Sequence, residues 1–297
     1  MATTRTLTAA TTGATTVDLS LLGASGRVDV QAVPGLATAE ITISTTDDTG
    51  EAADAVTGAD LFWDPRGALV ARVQGQGAGG GTTTIVTRSG RTITMQGVGT
   101  VYGSVTGMVI DGDLIIVGGR VVGGRGATLV QGPAPVVVTA RVPEGSSVIG
   151  RTQAADLTTT GRLTAVAATT QSGDVSVTTA HTFVDQVTAT TQSGDVSVGT
   201  ASTVSARTQS GDVVLERAVT AEVHTMSGDI RASWLGASAD LQTMSGDIRA
   251  RAANPGAVTA GSMSGDVTVT VTASPDAPAG APDTHAMAMT GRVSIPR

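Results

Sequence analysis

The chain has no cysteine, so disulfide staples and thiol chemistry are both excluded. It has no lysine either: all 18 of its basic residues are arginine. Aromatic residues make up 2% of the 297 positions, and Phe62, Phe183, Trp63, Trp234 and Tyr102 are the whole set. A globular core of ordinary width needs more large side chains than that to reach normal packing density, whereas a narrow core does not. Positive charge is also short. The formal net charge of −7 and the lack of a basic stripe argue against a nucleic-acid binder. Arginines gather only loosely, at Arg120, Arg125, Arg141 and Arg151. No window reaches the 18 apolar residues of a membrane-spanning helix. The opening MATTRTLTAATTGATT lacks the apolar run of a secretory signal. As encoded, the chain reads as cytoplasmic, and it would reach a cell envelope through a partner.

What the chain has instead is one phrase, written six times in its last third. It reads TQSGDVSV at Thr170–Val177, TQSGDVSV at Thr191–Val198 and TQSGDVVL at Thr208–Leu215. It continues as TMSGDIRA at Thr225–Ala232, TMSGDIRA at Thr243–Ala250 and SMSGDVTV at Ser262–Val269. Its glycines are Gly173, Gly194, Gly211, Gly228, Gly246 and Gly265, at steps of 21, 17, 17, 18 and 19 residues. Helical repeats need units of about 33 residues or more, so these units are too short for them. Within a unit the pattern has period two. Val166, Ala168 and Thr170 precede the first corner, and Val175 and Val177 follow it. Alternation of this kind puts a small apolar set on one face and a polar set on the other. Strand, Gly-Asp corner and strand recur once per unit. The expected fold is all-β: a single-stranded parallel β-solenoid with coils of about 17–21 residues, each stacked on the last. The expected cause of the corner is a backbone conformation that glycine supplies, with Ser and Asp bonding the amides of the turn.

The SGDV and SGDI phrases, the run VVVTARVPEGSSV (Val136–Val148) and the opening VDLSLLGASGRVDVQAV (Val17–Val33) resemble the DUF4097 family of bacterial adhesin-like β-strand repeat proteins. That resemblance implies a β-solenoid with an uncharacterised, envelope-related role. It supplies no catalytic residues.

Two regions are expected. Residues 1–135 read as a Gly-rich N-terminal β region of early coils or a cap, and residues 136–297 as the regular repeat. Within the first, Val17–Leu21, Arg27–Val33, Ala39–Ser44 and Ala68–Val73 read as strands, Met1–Thr16 as a polar lead, and Asp47–Gly58 as a short helix or a loop. Leu61-Phe62-Trp63 reads as a hydrophobic plug. Gly75–Gly81 reads as a connector, Ser89-Gly90-Arg91 and Asp111-Gly112-Asp113 as degenerate corners, and Ala273–Pro282 as an inserted loop. Pro296 would blunt the final edge.

Candidate chemistry sits at the corners. In register, Asp174, Asp195, Asp212, Asp229, Asp247 and Asp266 stand about 5 Å apart and repel by roughly 0.8 kcal/mol per pair in water. A Ca²⁺ ion would relieve that, since it takes six to eight oxygen ligands. The alternative is that each Asp bonds turn amides. Gln171, Gln192 and Gln209 form an amide column that Met226, Met244 and Met263 continue, either as a docking surface or as local packing. His181, His224 and His285 have no metal-ligand spacing. No nucleophile elbow and no phosphate-binding loop is present. The functional expectation is a non-catalytic, adhesin-like interaction or scaffold protein with a protein or envelope partner. The alternative is a self-associating structural component of a larger assembly, such as a phage virion or fibre. A polysaccharide-active β-helix enzyme would need two carboxylates across a cleft.

Overall fold

The computed structural model describes residues 2–75, 82–86, 92–96, 108–110, 114–117, 120–121, 134–179, 183–253, 257–272 and 284–295. The degenerate corners at 89–91 and 111–113, most of the 75–81 connector, the 273–282 insert, Tyr102, Arg125, His181 and Pro296 lie outside the described residues. Two compact units are present: Met1–Gln76 with Pro135–Arg297, and Gly77–Ala134.

The first unit begins with β1 (Thr3–Thr8), β2 (Thr16–Leu22), β3 (Gly26–Val33), β4 (Glu40–Thr45), α1 (Glu51–Thr57), β5 (Asp60–Asp64) and β6 (Ala68–Gln74). The 77–134 unit holds a hairpin of β7 (Thr82–Val86) and β8 (Thr92–Gln96). It also holds a small antiparallel sheet of β9 (Met108–Ile110), β10 (Leu114–Val117) and β11 (Arg120–Val121).

The chain then returns as β12 (Val136–Pro143), β13 (Ser147–Thr152), β14 (Asp156–Thr160), β15 (Ala165–Thr170), β16 (Val175–Thr178) and β17 (Val184–Thr191). Three long strands follow: β18 (Val196–Thr208), β19 (Val213–Ser227) and β20 (Ile230–Ser245). The last are β21 (Ile248–Ala253), β22 (Ala257–Ser264), β23 (Val267–Thr272), β24 (Thr284–Thr290) and β25 (Val293–Ser294). The unit is all-β apart from α1, and its strands join in one twenty-stranded sheet.

The pairing explains the sequence spacing. One parallel run passes β6, β2, β13, β15, β17, β18, β19, β20, β22 and β24. A second passes β12, β3, β14, β16, β18, β19, β20, β21, β23 and β25. Each long strand takes part in both runs. In β18 the buried set is Val196 and Val198, then Gly199 and Ala201, then Val204, Ala206 and Thr208. The inward phase therefore changes twice along one strand. Between β19 and β20 the partner of Ala218 is Leu235 but that of Thr220 is Ser238. This one-residue bulge is how a step of 18 stacks on a step of 17.

The core is a set of columns one residue wide. Leu157, Val175, Val196, Val213, Ile230, Ile248 and Val267 are successive register partners, and all are buried. Volumes trade off between neighbouring columns. Val204 lies beside Ala206 in one coil, Ala221 beside Val223 in the next, and Ala239 beside Leu241 in the third. A thin core of this kind is filled by small β-branched and aliphatic side chains, which accounts for the scarcity of aromatics.

The N-terminal strands are part of the same stack. β12 lies parallel on β3 and antiparallel on β4, and β13 lies parallel on β2. Gly26 permits this closeness: a Cβ there would stand 1.8 Å from the Val136 carbonyl oxygen. Met1–Thr16 is more ordered than a polar lead. Thr3–Thr8 forms β1, antiparallel to β4, and the Arg5 guanidinium donates to the carbonyls of Thr57 and Ala59 beside α1. The acidic segment folds as the two turns of α1, burying Ala52, Ala53, Ala55 and Val56. Trp63 is half-buried against the core, while Phe62 is exposed beneath Arg72, whose guanidinium lies 5.7 Å from the ring centroid.

Candidate functional site

The repeated phrase folds into a corner whose parts stack from coil to coil. Thr170 and Thr191 point inward, and their hydroxyl oxygens accept hydrogen bonds from the Gly173 and Gly194 amides at 2.9 Å each. In later coils the same hydroxyl donates to a glycine carbonyl of the preceding coil, as from Thr243 to Gly228 at 3.2 Å and Ser262 to Gly246 at 2.9 Å.

Close approach decides the identity of the glycines. A Cβ on Gly194 would stand 2.0 Å from the Gly173 carbonyl oxygen, on Gly211 2.1 Å from that of Gly194, and on Gly228 2.1 Å from that of Gly211. Gly246 and Gly265 repeat this at 2.2 and 2.1 Å. Only Gly246, Gly265 and Gly291 also have positive φ, of 149 to 153°. Backbone freedom, the cause expected from the sequence, thus applies to the last coils alone. In the others, any side chain would collide with the coil before.

The aspartates form a ladder. Oδ1 of Asp174 accepts a hydrogen bond from the Asp195 amide at 2.9 Å, and Oδ1 of Asp195 from the Asp212 amide at 2.8 Å. Asp212, Asp229 and Asp247 continue it to the amides of Asp229, Asp247 and Asp266 at 2.8, 2.9 and 2.9 Å. Asp266 closes it on the Arg292 amide at 2.9 Å. The bonds run between coils, so each carboxylate ties its own coil to the next. The first rung is Asp156, whose Oδ1 accepts from the Asp174 amide at 3.0 Å. It stands outside the six-copy phrase because Thr152-Gln-Ala-Ala-Asp156 has alanines where the phrase has Ser-Gly; the Thr-Gln-x-x-Asp spacing is the signal that marks it.

Arginines offset part of the column's charge. Arg231 lies 3.0 Å from Asp229 Oδ2 and 4.0 Å from Asp212 Oδ2, and Arg249 lies 2.8 Å from Asp247 Oδ2. These pairs are exposed and add little stability. The structure therefore brings all six predicted aspartates into one column and gives each an amide partner. Among the described residues, no group of three or more His, Asp or Glu side chains is arranged to hold a metal ion.

The ladder predicts two different outcomes at Asp212. Asp212→Ala leaves the Asp229 amide without its acceptor and costs about 1 kcal/mol at this half-exposed corner. Asp212→Asn keeps an acceptor oxygen and removes like-charge repulsion, so its stability stays within about 0.5 kcal/mol of the parent. Urea melts of the two variants check this. Equal losses for Asn and Ala would show that the charge itself, not the hydrogen bond, is what the corner needs.

Beside the aspartates runs an outward column. The register places Gln153, Gln171, Gln192, Gln209, Met226, Met244, Met263 and Met289 at equivalent positions in eight coils. Sequence reading found six of these. Gln153 and Met289 belong to degenerate copies of the phrase. Met226, Met244 and Met263 are about half exposed.

The histidines are dispersed. His224 Nε2 lies 3.2 Å from Glu222 Oε1, which also takes Arg207 at 2.6 Å, and β20 and β22 separate His224 from His285 on β24. Arg151 pairs with Asp18 at 2.6 Å. An open pocket of about 360 Å³, lined by Glu144, Arg162, Thr164, Phe183 and Asp185, lies away from the corner column.

With the ladder and columns established, known proteins can be set beside the chain. The Toastrack DUF4097 family model matches residues 137–281. This segment belongs to the Toastrack DUF4097 family. Among curated proteins, none matches the sequence. A solved structure from Parabacteroides distasonis ATCC 8503, named as a "putative adhesin", is similar with a TM-score of 0.52 at 9% identity, over 99% of this chain and 97% of that one. A second from Bacteroides fragilis NCTC 9343, with the same name, gives a TM-score of 0.41 at 12% identity, over 98% and 96% of the two chains. A third from P. distasonis, named as a "putative lipid binding protein", gives 0.43 at 10% identity over 98% and 96%. The first of these is similar to the chain in fold. At such identities the likeness concerns fold alone.

Proposed function

We propose that the chain is a non-catalytic interaction scaffold of adhesin type, built as a single-stranded parallel β-solenoid with coils of 17–21 residues. Its stacked outward columns would meet a protein or cell-envelope partner. The observation that carries this reading is the eight-rung column from Gln153 to Met289, held in register by the ladder beside it. Such a surface is rigid before binding, so little conformational freedom is lost when a partner docks. The carboxylates of this corner hold coils together, each accepting a hydrogen bond from an amide of the next coil. The Toastrack relationship of residues 137–281 agrees with this, and the P. distasonis protein of like fold carries an adhesin's name. Among the described residues no helix is long and apolar enough to cross a membrane.

The test is light scattering of the purified chain, followed by retention on bacterial cell-envelope fractions. A monomer is expected, retained by the fractions. The triple variant Gln171→Arg, Gln192→Arg, Gln209→Arg should bind at least tenfold more weakly at unchanged melting temperature. A stable trimer that the fractions do not retain would favour a structural fibre component. Turnover of an envelope polysaccharide would overturn the non-catalytic reading.

A further inference from the structure

The outward column changes chemistry along the stack, from glutamine in its first coils to methionine in its last. In place of the glutamines of the earlier coils, Met226, Met244 and Met263 stand 51, 48 and 48% exposed. In the last coil Met287 and Met289 are 73 and 78% exposed. Met289 continues the column beneath Met263, and Met287 stands two residues earlier on the same face of β24. The register partner of Met287 is Gly261, whose Cβ position has nothing within 4 Å. The absence of a side chain there leaves room above Met287. The register thus sets Met263, Met287 and Met289 on one exposed face, around the position that Gly261 leaves without a side chain; we call this the notch.

We infer that this notch is a binding site for a soft monovalent cation of the copper(I) class. Thioether sulfur is a soft ligand that selects copper(I) and is a poor donor to calcium, magnesium or other hard cations. Adjacent parallel strands stack about 4.7–4.9 Å apart. A zinc–thiolate bond is about 2.3 Å long, and two metal–sulfur bonds of that order span a distance comparable to the strand spacing, within reach of methionines on neighbouring coils. Methionine is unbranched with three rotatable bonds, so each sulfur can move onto the ion without disturbing the strand beneath it. Met287 supplies a third donor from within the last coil, and Met244 lies one coil further along. The chain's net charge of −7 favours a cation. The site is separate from the aspartate ladder, whose oxygens bond amides and arginines.

The experiment is an anaerobic titration of the purified full chain with copper(I) against a chromophoric copper(I) chelator. A saturable one-to-one complex is expected. The variant Met263→Leu, Met287→Leu, Met289→Leu keeps the apolar surface and removes the sulfur, and its affinity should fall at least tenfold. An apolar docking stripe would be indifferent to that exchange. A second measurement needs no variant: silver(I), as a redox-inert substitute, should shift the methyl NMR signals of Met263, Met287 and Met289 in the native chain. Failure to compete with the chelator would overturn the inference. So would retained affinity in the leucine variant, or silver(I) that leaves those three methyl signals in place.

Discussion

Gly211→Ala should destabilise the chain by about 3 kcal/mol or more, as large an effect as a single added methyl group is expected to have in the repeat. The added Cβ would stand 2.1 Å from the Gly194 carbonyl oxygen and 3.1 Å from Thr208 Oγ1. The nearer neighbour cannot swing aside as a side-chain end could. The carbonyl belongs to the backbone of the coil before, and that coil is held in turn by Asp195 Oδ1 accepting the Asp212 amide. Relief would require separating two coils and stretching the hydrogen bonds on both sides of the corner. The right comparison is Gly261→Ala, also in a strand of the repeat. Its Cβ would meet nothing within 4 Å, and its φ is not positive. That substitution should be neutral or stabilising by up to about 1 kcal/mol, because alanine has less freedom to lose on folding. Urea unfolding of the pair measures the difference. Similar stabilities would mean that the glycine column is not under steric constraint.

Leu241→Ala comes next, at about 3 kcal/mol. Leu241 is fully buried in β20, between Val223 of the coil before and Ala260 of the coil after, with Ala239 two residues away on the same face. Its neighbours are small because Leu241 fills the space they leave. Removing it opens a void that a core one residue wide cannot close without moving whole coils. The loss should appear as a lower urea midpoint with an unchanged slope. In a stack where each coil touches only its neighbours, the coils around β20 should exchange their amides first. A loss under about 1 kcal/mol would show that the stack relaxes more freely than its pairing suggests.

Much of the fold could be read from the sequence because each coil repeats the same local instruction. The alternation of Val166, Ala168 and Thr170 about the Ser-Gly-Asp corner gave both the strands and the buried face, and those residues face as predicted. Relations between distant parts of the chain were not legible. Nothing in Gly26–Val33 announces that it pairs with Val136–Pro143 across more than 100 residues. β1 escaped notice because threonine alternating with Arg5 and Leu7 carries little hydrophobic signal. Its order comes from β4 and from the carbonyls beside α1.

At the corner the residue types were visible but their partners were not. Aspartate beside glycine suggests a carboxylate bonding its own turn, and the amide it bonds is in fact one coil away. The glycines likewise answer to a neighbour's carbonyl, which no single copy of the phrase contains.

The most direct test of in-register parallel stacking uses the absence of cysteine, which leaves any introduced pair unambiguous. Thr188 and Ser205 are register partners on neighbouring coils, and neither belongs to the buried core. Neighbouring strands place their Cα atoms within the 4.4–6.8 Å that a disulfide bridges, to order of magnitude about 5 Å. Under mild oxidation, Thr188→Cys with Ser205→Cys should cross-link nearly completely. Thr188→Cys with Ala206→Cys should not, because Ala206 faces the core. A bond in the first pair alone is the predicted result. A bond in the second pair alone, or in neither, would contradict the stacking on which the ladder, the outward column and the thioether notch all depend.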